Sequence, residues 1–309
     1  DLKFKAESIN FISEKINIIK KKNNFLIKGI VNNNQSNLNL SVLEFFNLNF
    51  ENIIVDDAKF TTDSKFTLEI DDKFRIKNIN LNSDININKL KYKKPKIVLK
   101  YFSESNDSIL FENHKLNLNL TDNNLSVEGE GDIHLTNERD QIKYLINKNG
   151  KNLRANTELF IKNISLKKQD FLKNFFPQIN EEISFIDQQL KINFDNQQLS
   201  FLGSGKFKID KDFEKIDYFI EKKENKINFN TVINLKDTGF KIENINYKKS
   251  DKTKMNLKLT GELNNNKILN LNSFILNEEN NKISITNLHL NDTNQIKKID
   301  QAKFYYLDT

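Results

Sequence analysis

Apolar and polar residues alternate along most of the chain. Residues 116–120 read Leu-Asn-Leu-Asn-Leu, and residues 85–88 read Ile-Asn-Ile-Asn. Alternation with a period of two places apolar side chains on one face of a pleated strand and polar side chains on the other. A helix would need apolar residues three and four positions apart, which most of the chain lacks. The pattern therefore predicts a mainly β protein whose sheet has one apolar and one heavily solvated face.

Short polar segments separate the predicted strands, and such turns join strands antiparallel as a meander. No linker rich in Pro, Gly or Ser interrupts the series. We therefore expect residues 1–309 to form a single elongated segment, a twisted antiparallel β-sheet. Ser8–Ile19 and Val42–Phe50 are compatible with either a strand or a helix. The predicted turns are 32–34, 71–72, 122–124, 196–198, 264–266 and 278–281.

The clearest helical spacing lies between residues 167 and 186, where Leu172, Phe176 and Ile179 follow one another at intervals of three or four. Pro177 lies inside this stretch and disfavours a continuous helix, because proline lacks the N–H that helix hydrogen bonding requires. We therefore predict a short helical insert in two pieces at 167–186.

The chain contains an internal repeat without gaps. Residues 125–135 (LSVEGEGDIHL) align with residues 199–209 (LSFLGSGKFKI), an offset of 199 − 125 = 74. The same offset aligns Tyr144 with Tyr218. The two copies cover about 116–166 and 190–240. Repeated supersecondary units usually stack so that each buries its apolar face against its neighbours, which favours an elongated architecture.

Each copy of the repeat carries two glycines one residue apart: Gly129 and Gly131, then Gly203 and Gly205. Glycine inside a strand marks a bulge, a bend or a close approach of another group. We expect these glycines to bend long strands. The alternative is a corner of a β-sandwich with no ligand near it.

Composition narrows the class of protein. Hydrophobic residues make up 37% and charged residues 29%, and the chain contains 25 Phe. Disordered chains are poor in aromatic and β-branched residues, so we expect a folded chain. The net charge of +6 suits anionic lipid head groups, but it equally follows from a drift in base composition toward Lys, Asn and Ile codons.

The sequence contains no cysteine and no apolar stretch of the length a membrane-spanning helix needs. The chain opens at Asp1 rather than Met, so we expect a fragment or mature piece whose anchoring segment lies outside it.

Catalytic motifs are not found. His114, His134 and His289 are scattered, without partners at metal-ligand spacing. Neither glycine pair has the third glycine of a dinucleotide fingerprint. The basic runs are not interleaved with stacking aromatics, as single-strand binding requires. We therefore expect no enzymatic activity, no metal or other cofactor, and no nucleic acid.

The stretch from Phe201 to Asp308 resembles the AsmA-like superfamily of Gram-negative envelope proteins, especially its YhdP and TamB branches. The elements that carry the resemblance are 203–210 (GSGKFKID), 216–218 (IDY), 242–248 (IENINYK), 257–261 (LKLTG), 283–290 (ISITNLHL), and Phe175-Phe176-Pro177 followed by Ile183 and Ile186.

The resemblance implies a long, open, twisted β-groove that carries phospholipid acyl chains between the inner and outer membranes. It also implies a periplasmic location and an inner-membrane anchor outside this chain, with membranes and envelope proteins of unknown identity as partners. The alternative is a structural scaffold for outer-membrane biogenesis with a closed, dry β core. The residues expected to line the groove are Leu118, Leu125, Val127, Ile133, Leu135, Leu153, Leu159, Ile192, Phe194, Phe201, Phe207, Ile209, Ile227, Phe229, Ile233, Leu257 and Leu259.

Overall fold

A computed structural model of the chain describes residues 2–6, 9–38, 53–54, 57–94, 107–250, 252–264, 269–291 and 296–305. These residues are mainly β: 18 strands form one large antiparallel sheet that is not closed, and two further strands form a small separate sheet. The predicted mainly β, antiparallel class is confirmed. The described residues divide into two compact units at residues 157 and 158.

The first unit is a meander in which consecutive strands pair antiparallel, with one exception. The two-residue strand β4 pairs with β6, and β3 pairs directly with β5. Its strands are β1 (Leu2–Ala6), β2 (Ile9–Lys20), β3 (Asn24–Asn37), β4 (Ile53–Ile54), β5 (Lys59–Asp71), β6 (Ile76–Lys93), β7 (Ser108–Thr121), β8 (Asn124–His134), β9 (Asp140–Asn149) and the start of β10 (Asn152–Lys167).

The second unit continues the same pattern, and β14 pairs with β17 across an intervening excursion of the chain. That excursion contains the small sheet of β15 and β16. The elements of this unit after β10 are the 3-10 helix η1 (Asp170–Asn174), β11 (Glu182–Asp195), β12 (Gln198–Lys208), β13 (Phe213–Lys223), β14 (Lys226–Leu235), β15 (Lys241–Ile242), the 3-10 helix η2 (Glu243–Ile245), β16 (Tyr247–Lys248), β17 (Met255–Asn264), β18 (Leu269–Glu278), β19 (Asn281–Leu290) and β20 (Ile296–Tyr305).

The predicted helical insert at 167–186 is not confirmed. Strand β10 extends to Lys167, β11 begins at Glu182, and η1 is a single short turn between them. Pro177 follows closely after η1. Leu172, Phe176 and Ile179 instead lie in an irregular segment, in which the side chains of Phe176 and Ile179 are buried. None of the helices in the described ranges is long and apolar enough to cross a bilayer.

The predicted turn at residues 32–34 is wrong, because these asparagines lie inside β3. The side chain of Asn33 is buried and its Nδ2 donates to the Phe60 carbonyl at 3.4 Å, which offsets the cost of burying an amide. A register shift between Asn33 and Ser36 accompanies it. The other predicted turns at 72, 122–123, 196–197 and 279–280 are present. Residues 265–266 and 42–50 lie outside the described residues, and the ambiguous stretch from Ile9 onward forms β2.

Candidate functional site

The second unit has one face of the sheet that carries most of its apolar side chains. Register places Ile192 opposite Phe201, Phe201 opposite Ile220, and Ile220 opposite Phe229. Residues that face each other directly across paired strands lie on the same side of the sheet. We refer to this side as the apolar face. The other side carries residues such as Lys206, Asp217 and Asn230, which are exposed.

Two neighbouring transverse rows of the apolar face are partly exposed, and we call them the open rows. They lie near the β11–β12 and β13–β14 turns. In the first row, side chains from adjacent strands are close enough to form a continuous apolar strip. In the second row, Lys222 lies between Leu199 and Ile227. The first row is Ile192, Phe201, Ile220 and Phe229, and the second is Phe194, Leu199, Ile227 and Leu263.

At the other end of these strands the apolar face is covered by the chain itself. Two segments, which we call the cap, pack on it: residues 169–180 and residues 236–250. The rings of Phe176 and Phe240 pack edge to face, with their centroids 5.3 Å apart. The rings of Phe240 and Tyr247 pack in the same way, with their centroids 6.4 Å apart. The result is one dry cluster of buried side chains. It contains Phe176, Ile179, Phe207, Ile209, Leu235, Phe240, Tyr247, Met255, Leu257, Leu276 and Ile283.

Two hydrogen bonds join the cap segments, one between backbone groups and one from a side chain. The Lys241 N–H donates to the Phe175 carbonyl at 2.9 Å, and Gln178 Nε2 donates to the Gly239 carbonyl at 2.8 Å. Because these residues are more than sixty positions apart in the chain, the cap depends on tertiary structure. The sequence shows the apolar residues of the cap but not the contacts between its two segments.

Two carboxylates on the apolar face hold the second cap segment. Glu214, which is 4% exposed, accepts hydrogen bonds from the backbone N–H groups of Lys236, Asp237 and Thr238 at 2.7 to 3.0 Å. Glu278, which is 2% exposed, accepts from the Tyr247 hydroxyl at 2.6 Å and the Ser250 N–H at 2.7 Å.

Burial raises the pKa of Glu278, but its hydrogen bonds from Thr253, Tyr247 and Ser250 outweigh this and lower the pKa below its ordinary value. Both carboxylates are therefore engaged by hydrogen bonds that hold the second cap segment, and each has one buried partner, Thr238 for Glu214 and Tyr247 for Glu278.

The predicted groove residues of the second unit fall into two groups. Phe207, Ile209 and Leu257 are buried in the dry cluster, and Ile233 and Leu259 pack against it. Those in the open rows are partly exposed, and so is Leu159 on β10. The open-row members are Ile192, Phe194, Phe201, Ile227 and Phe229.

In the first unit the predicted residues lie on β7, β8 and β10, and Leu135 follows β8 directly. Leu118 lies opposite Val127, and Leu125 lies opposite Leu120, all partly exposed. Ile133 is buried opposite Phe111. Leu135, just after β8, is partly exposed, and Leu153 on β10 is 38% exposed.

The paired glycines make room for side chains of the next strand. A Cβ on Gly203 would lie 2.2 Å from Cζ of Tyr218, and one on Gly129 would lie 2.5 Å from Cζ of Tyr144. The tyrosine rings therefore lie against the glycine backbone. Burial raises the pKa of Tyr144 to about 12 and shifts that of Tyr218 in the same direction.

The second glycine of each pair faces a β-bulge on the preceding strand. The register shifts between Glu112 and Lys115 across from Gly131, and between Ile186 and Gln189 across from Gly205. The irregularity that we expected on the glycine strands thus lies on their partners. In both bulges a residue with positive φ, Asn113 or Asp187, comes just before a buried polar side chain, His114 or Gln188.

The sequence interpretation aligned Tyr144 with Tyr218 but missed their packing against the glycines, and it missed the bulge residues and the two carboxylates. The signal that could have found most of them is the repeat, since the offset of 74 relates Asn113 to Asp187 and His114 to Gln188. The described residues hold no group of three or more His, Cys, Asp or Glu side chains able to bind a metal ion. No protein-family model, no curated protein and no solved structure matches this chain.

Proposed function

We propose that this chain is a non-enzymatic lipid-binding and transfer segment of an AsmA-like envelope protein. In this proposal the sheet forms an open groove, and phospholipid acyl chains lie along its apolar face. The observation that carries the proposal is the pair of open rows, where large apolar side chains of adjacent strands stay partly exposed beside a well-packed cluster.

An exposed apolar strip of this kind needs a covering group, because monomeric proteins rarely leave large apolar patches in water. Acyl chains supply that cover at about 0.8 kcal/mol for each methylene removed from water. The lipid head group stays in water, so no charge has to be buried. Transfer by sliding along the rows needs no nucleotide, metal or other cofactor.

The resemblance to AsmA-like proteins supplies the rest of the proposal. The lipid is a phospholipid, the location is the periplasm, and the direction of the pathway is between the inner and outer membranes.

The test is native mass spectrometry of the purified 309-residue chain, with lipid extraction from the same sample. We expect phospholipid to co-purify with the wild-type chain. The substitution Phe229→Arg places a charge in the open rows, so we expect it to reduce the bound lipid at least several-fold while β-type circular dichroism is retained.

Phe219→Arg is the matched control. Phe219 lies on the neighbouring strand opposite Leu202 and Asn230, on the other side of the sheet, and is 37% exposed. It should bind as much lipid as the wild type. Equal lipid loss in both variants, or a folded wild type without lipid, would contradict the proposal. Phe207→Arg is not a suitable test, because this side chain is buried in the cluster and its replacement by a charge should unfold the chain.

The dry cluster favours a second candidate function, a structural scaffold for outer-membrane biogenesis. Its side chains are packed by protein alone. This candidate predicts a stable, lipid-free chain that binds another envelope protein. The same lipid extraction separates the two candidates.

A further inference from the structure

We propose that Lys222 binds the anionic phosphate of the phospholipid, so that the head group lies at the open-row end and the acyl chains point toward the cap. This inference rests on the proposed function and adds the lipid class and its orientation to it.

Lys222 is a cation on the apolar face. It lies opposite Leu199 on β12 and opposite Ile227 on β14, so it belongs to the second open row. The side chain is exposed and forms no ion pair with any residue in the described parts of the chain. A lysine can lay its methylene stem along apolar neighbours while its ammonium group reaches water. That geometry suits a ligand with an apolar tail and an anionic head.

The other lysines of this turn are placed differently. Lys223 and Lys226 face each other and Gln198 on the opposite side of the sheet. Lys226 also pairs with Glu262 at 3.5 Å. Of the three, Lys222 alone lies among the apolar side chains.

The far end of the apolar face is covered by the cap, and its buried charges are of both signs, since Lys249 is buried there and its Nζ donates to the Lys236 carbonyl at 2.6 Å. Glu214 and Glu278 lie there, and both are buried and hydrogen-bonded to the cap. From Ile227 to Leu235 the strand spans about 26 Å, at about 3.3 Å for each residue. The cap leaves no open apolar face for a head group at that end, whereas the exposed Lys222 attracts an anionic head group at the open end, which determines the orientation.

The first unit has a lysine and a buried carboxylate at the equivalent positions of the repeat. Lys148 corresponds to Lys222, since 222 − 74 = 148, and it lies opposite Leu125 just as Lys222 lies opposite Leu199. Asp140 corresponds to Glu214, since 214 − 74 = 140, and both are buried. The lysine and the carboxylate thus recur together with the apolar strands between them.

The chemistry commits the site to a phospholipid of net negative charge, such as phosphatidylglycerol. An ammonium–phosphate hydrogen bond is charge-assisted and stronger than a neutral one. Phosphatidylcholine carries its own cation beside the phosphate, so Lys222 adds less to its binding.

The experiment compares Lys222→Glu with Lys223→Glu in the full chain. The two variants have the same net charge. They differ in the side of the sheet on which the substituted residue lies. Binding of phosphatidylglycerol and phosphatidylcholine is measured by native mass spectrometry. We expect Lys222→Glu to weaken phosphatidylglycerol binding by about tenfold or more and to leave phosphatidylcholine within about twofold, and Lys223→Glu to change neither.

Equal effects of the two variants would show a response to net charge and overturn the inference. Competition by inorganic phosphate as effective as that by phosphatidylglycerol would also overturn it, since the site would then bind an isolated anion. If neither lysine matters but Phe229→Arg still loses lipid, the inference fails and the proposed function stands. If the wild type binds neither lipid, the proposed function fails.

Orientation is tested separately. The chain has no cysteine, so Thr231→Cys and Leu263→Cys each give one labelling position on the apolar face. Thr231 lies nearer the cap, and Leu263 lies opposite Ile227 near the turn. Phosphatidylglycerol with a nitroxide at its acyl terminus should quench a fluorophore at 231 more than one at 263. The reverse order would overturn the orientation.

Discussion

At the scale of single residues, His114 and Gln188 occupy equivalent positions in the two repeats. The His114 Nε2 lies 2.9 Å from the Asp132 carbonyl oxygen, and the Gln188 Nε2 lies 2.7 Å from the Lys206 carbonyl oxygen. A carbonyl oxygen only accepts, so the His114 Nε2 carries a proton and the neutral ring has its lone pair on Nδ1. Both side chains close a bulge against a glycine, and only one of them can titrate.

Burial lowers the pKa of His114 below its ordinary value. As the pH falls below about 6.5, the unfolded chain takes up a proton on this residue that the folded chain does not. The unfolded state then binds more protons, so the free energy of unfolding decreases as the pH falls toward the folded pKa. We expect His114→Gln to remove this part of the pH dependence and to keep the hydrogen bond to Asp132.

The reciprocal change provides the control. Gln188→His should add a similar loss of stability on acidification. Urea unfolding of the three proteins at about pH 7.5 and about pH 5.5, on either side of the ordinary histidine value, checks both changes. If the free energy of unfolding of His114→Gln changes with pH as much as that of the wild type, the pH dependence arises from other residues.

At the scale of elements, the cap depends on Glu214 more than on its own secondary structure. Strands β15 and β16 are only two residues long, so their ladder is too short to hold the segment by itself. The Glu214 carboxylate on β13 instead accepts hydrogen bonds from three consecutive backbone N–H groups. Lys249 assists, with its Nζ donating to the Lys236 carbonyl at 2.6 Å.

We expect Glu214→Ala to lower the free energy of unfolding by about 1–3 kcal/mol, because it leaves three backbone N–H groups, including the buried one of Thr238, without their acceptor. The amides of Lys236, Asp237 and Thr238 should then exchange hydrogen faster. Asp217→Ala, at an exposed position on the other side of the same strand, is the control and should change stability by less than about 0.5 kcal/mol. Unchanged exchange at the three amides in Glu214→Ala would mean that other contacts hold the cap.

At the scale of the whole molecule, the sheet is not closed and therefore has edges. Within the described residues β20 pairs with β19 alone, and all 10 of its residues are exposed. Its apolar side chains continue the apolar face, since Phe304 lies opposite Ile283 and Ala302 lies opposite Ile285. Charged residues on the strand, such as Lys297 and Lys303, are typical of edges that avoid uncontrolled pairing.

We expect backbone amides to exchange hydrogen faster in the exposed edge strand than in the strands that pair on both sides. Amides of β18, which pairs on both sides and contains the fully buried Leu276, should be among the most protected, and those of β20 the least protected of the second unit. Exchange measured by mass spectrometry on the purified chain checks the order. Protection of β20 equal to that of β18 would mean that another chain covers this edge.

Much of the fold was predictable from local pattern. Alternation at residues 116–120 predicted β7, and the polar pairs 122–123 and 196–197 predicted the β7–β8 and β11–β12 turns. The errors occurred where tertiary contacts override local preference. Asn33 resembles a turn residue but is buried in a strand by its bond to Phe60, and the helical spacing around Leu172 and Phe176 serves an irregular cap segment.

The sequence by itself determined most of the strands, the side of each strand on which an apolar residue lies, and the repeat with its offset of 74. These follow from local geometry, since successive side chains in a strand point to opposite sides. Only the tertiary structure decided which part of the apolar face is covered. Phe207 and Phe229 have the same alternation, yet one is buried under the cap and the other is partly exposed. The covering residues, such as Phe176 and Phe240, come from segments distant in the chain, and periodicity carries no information about contacts between them.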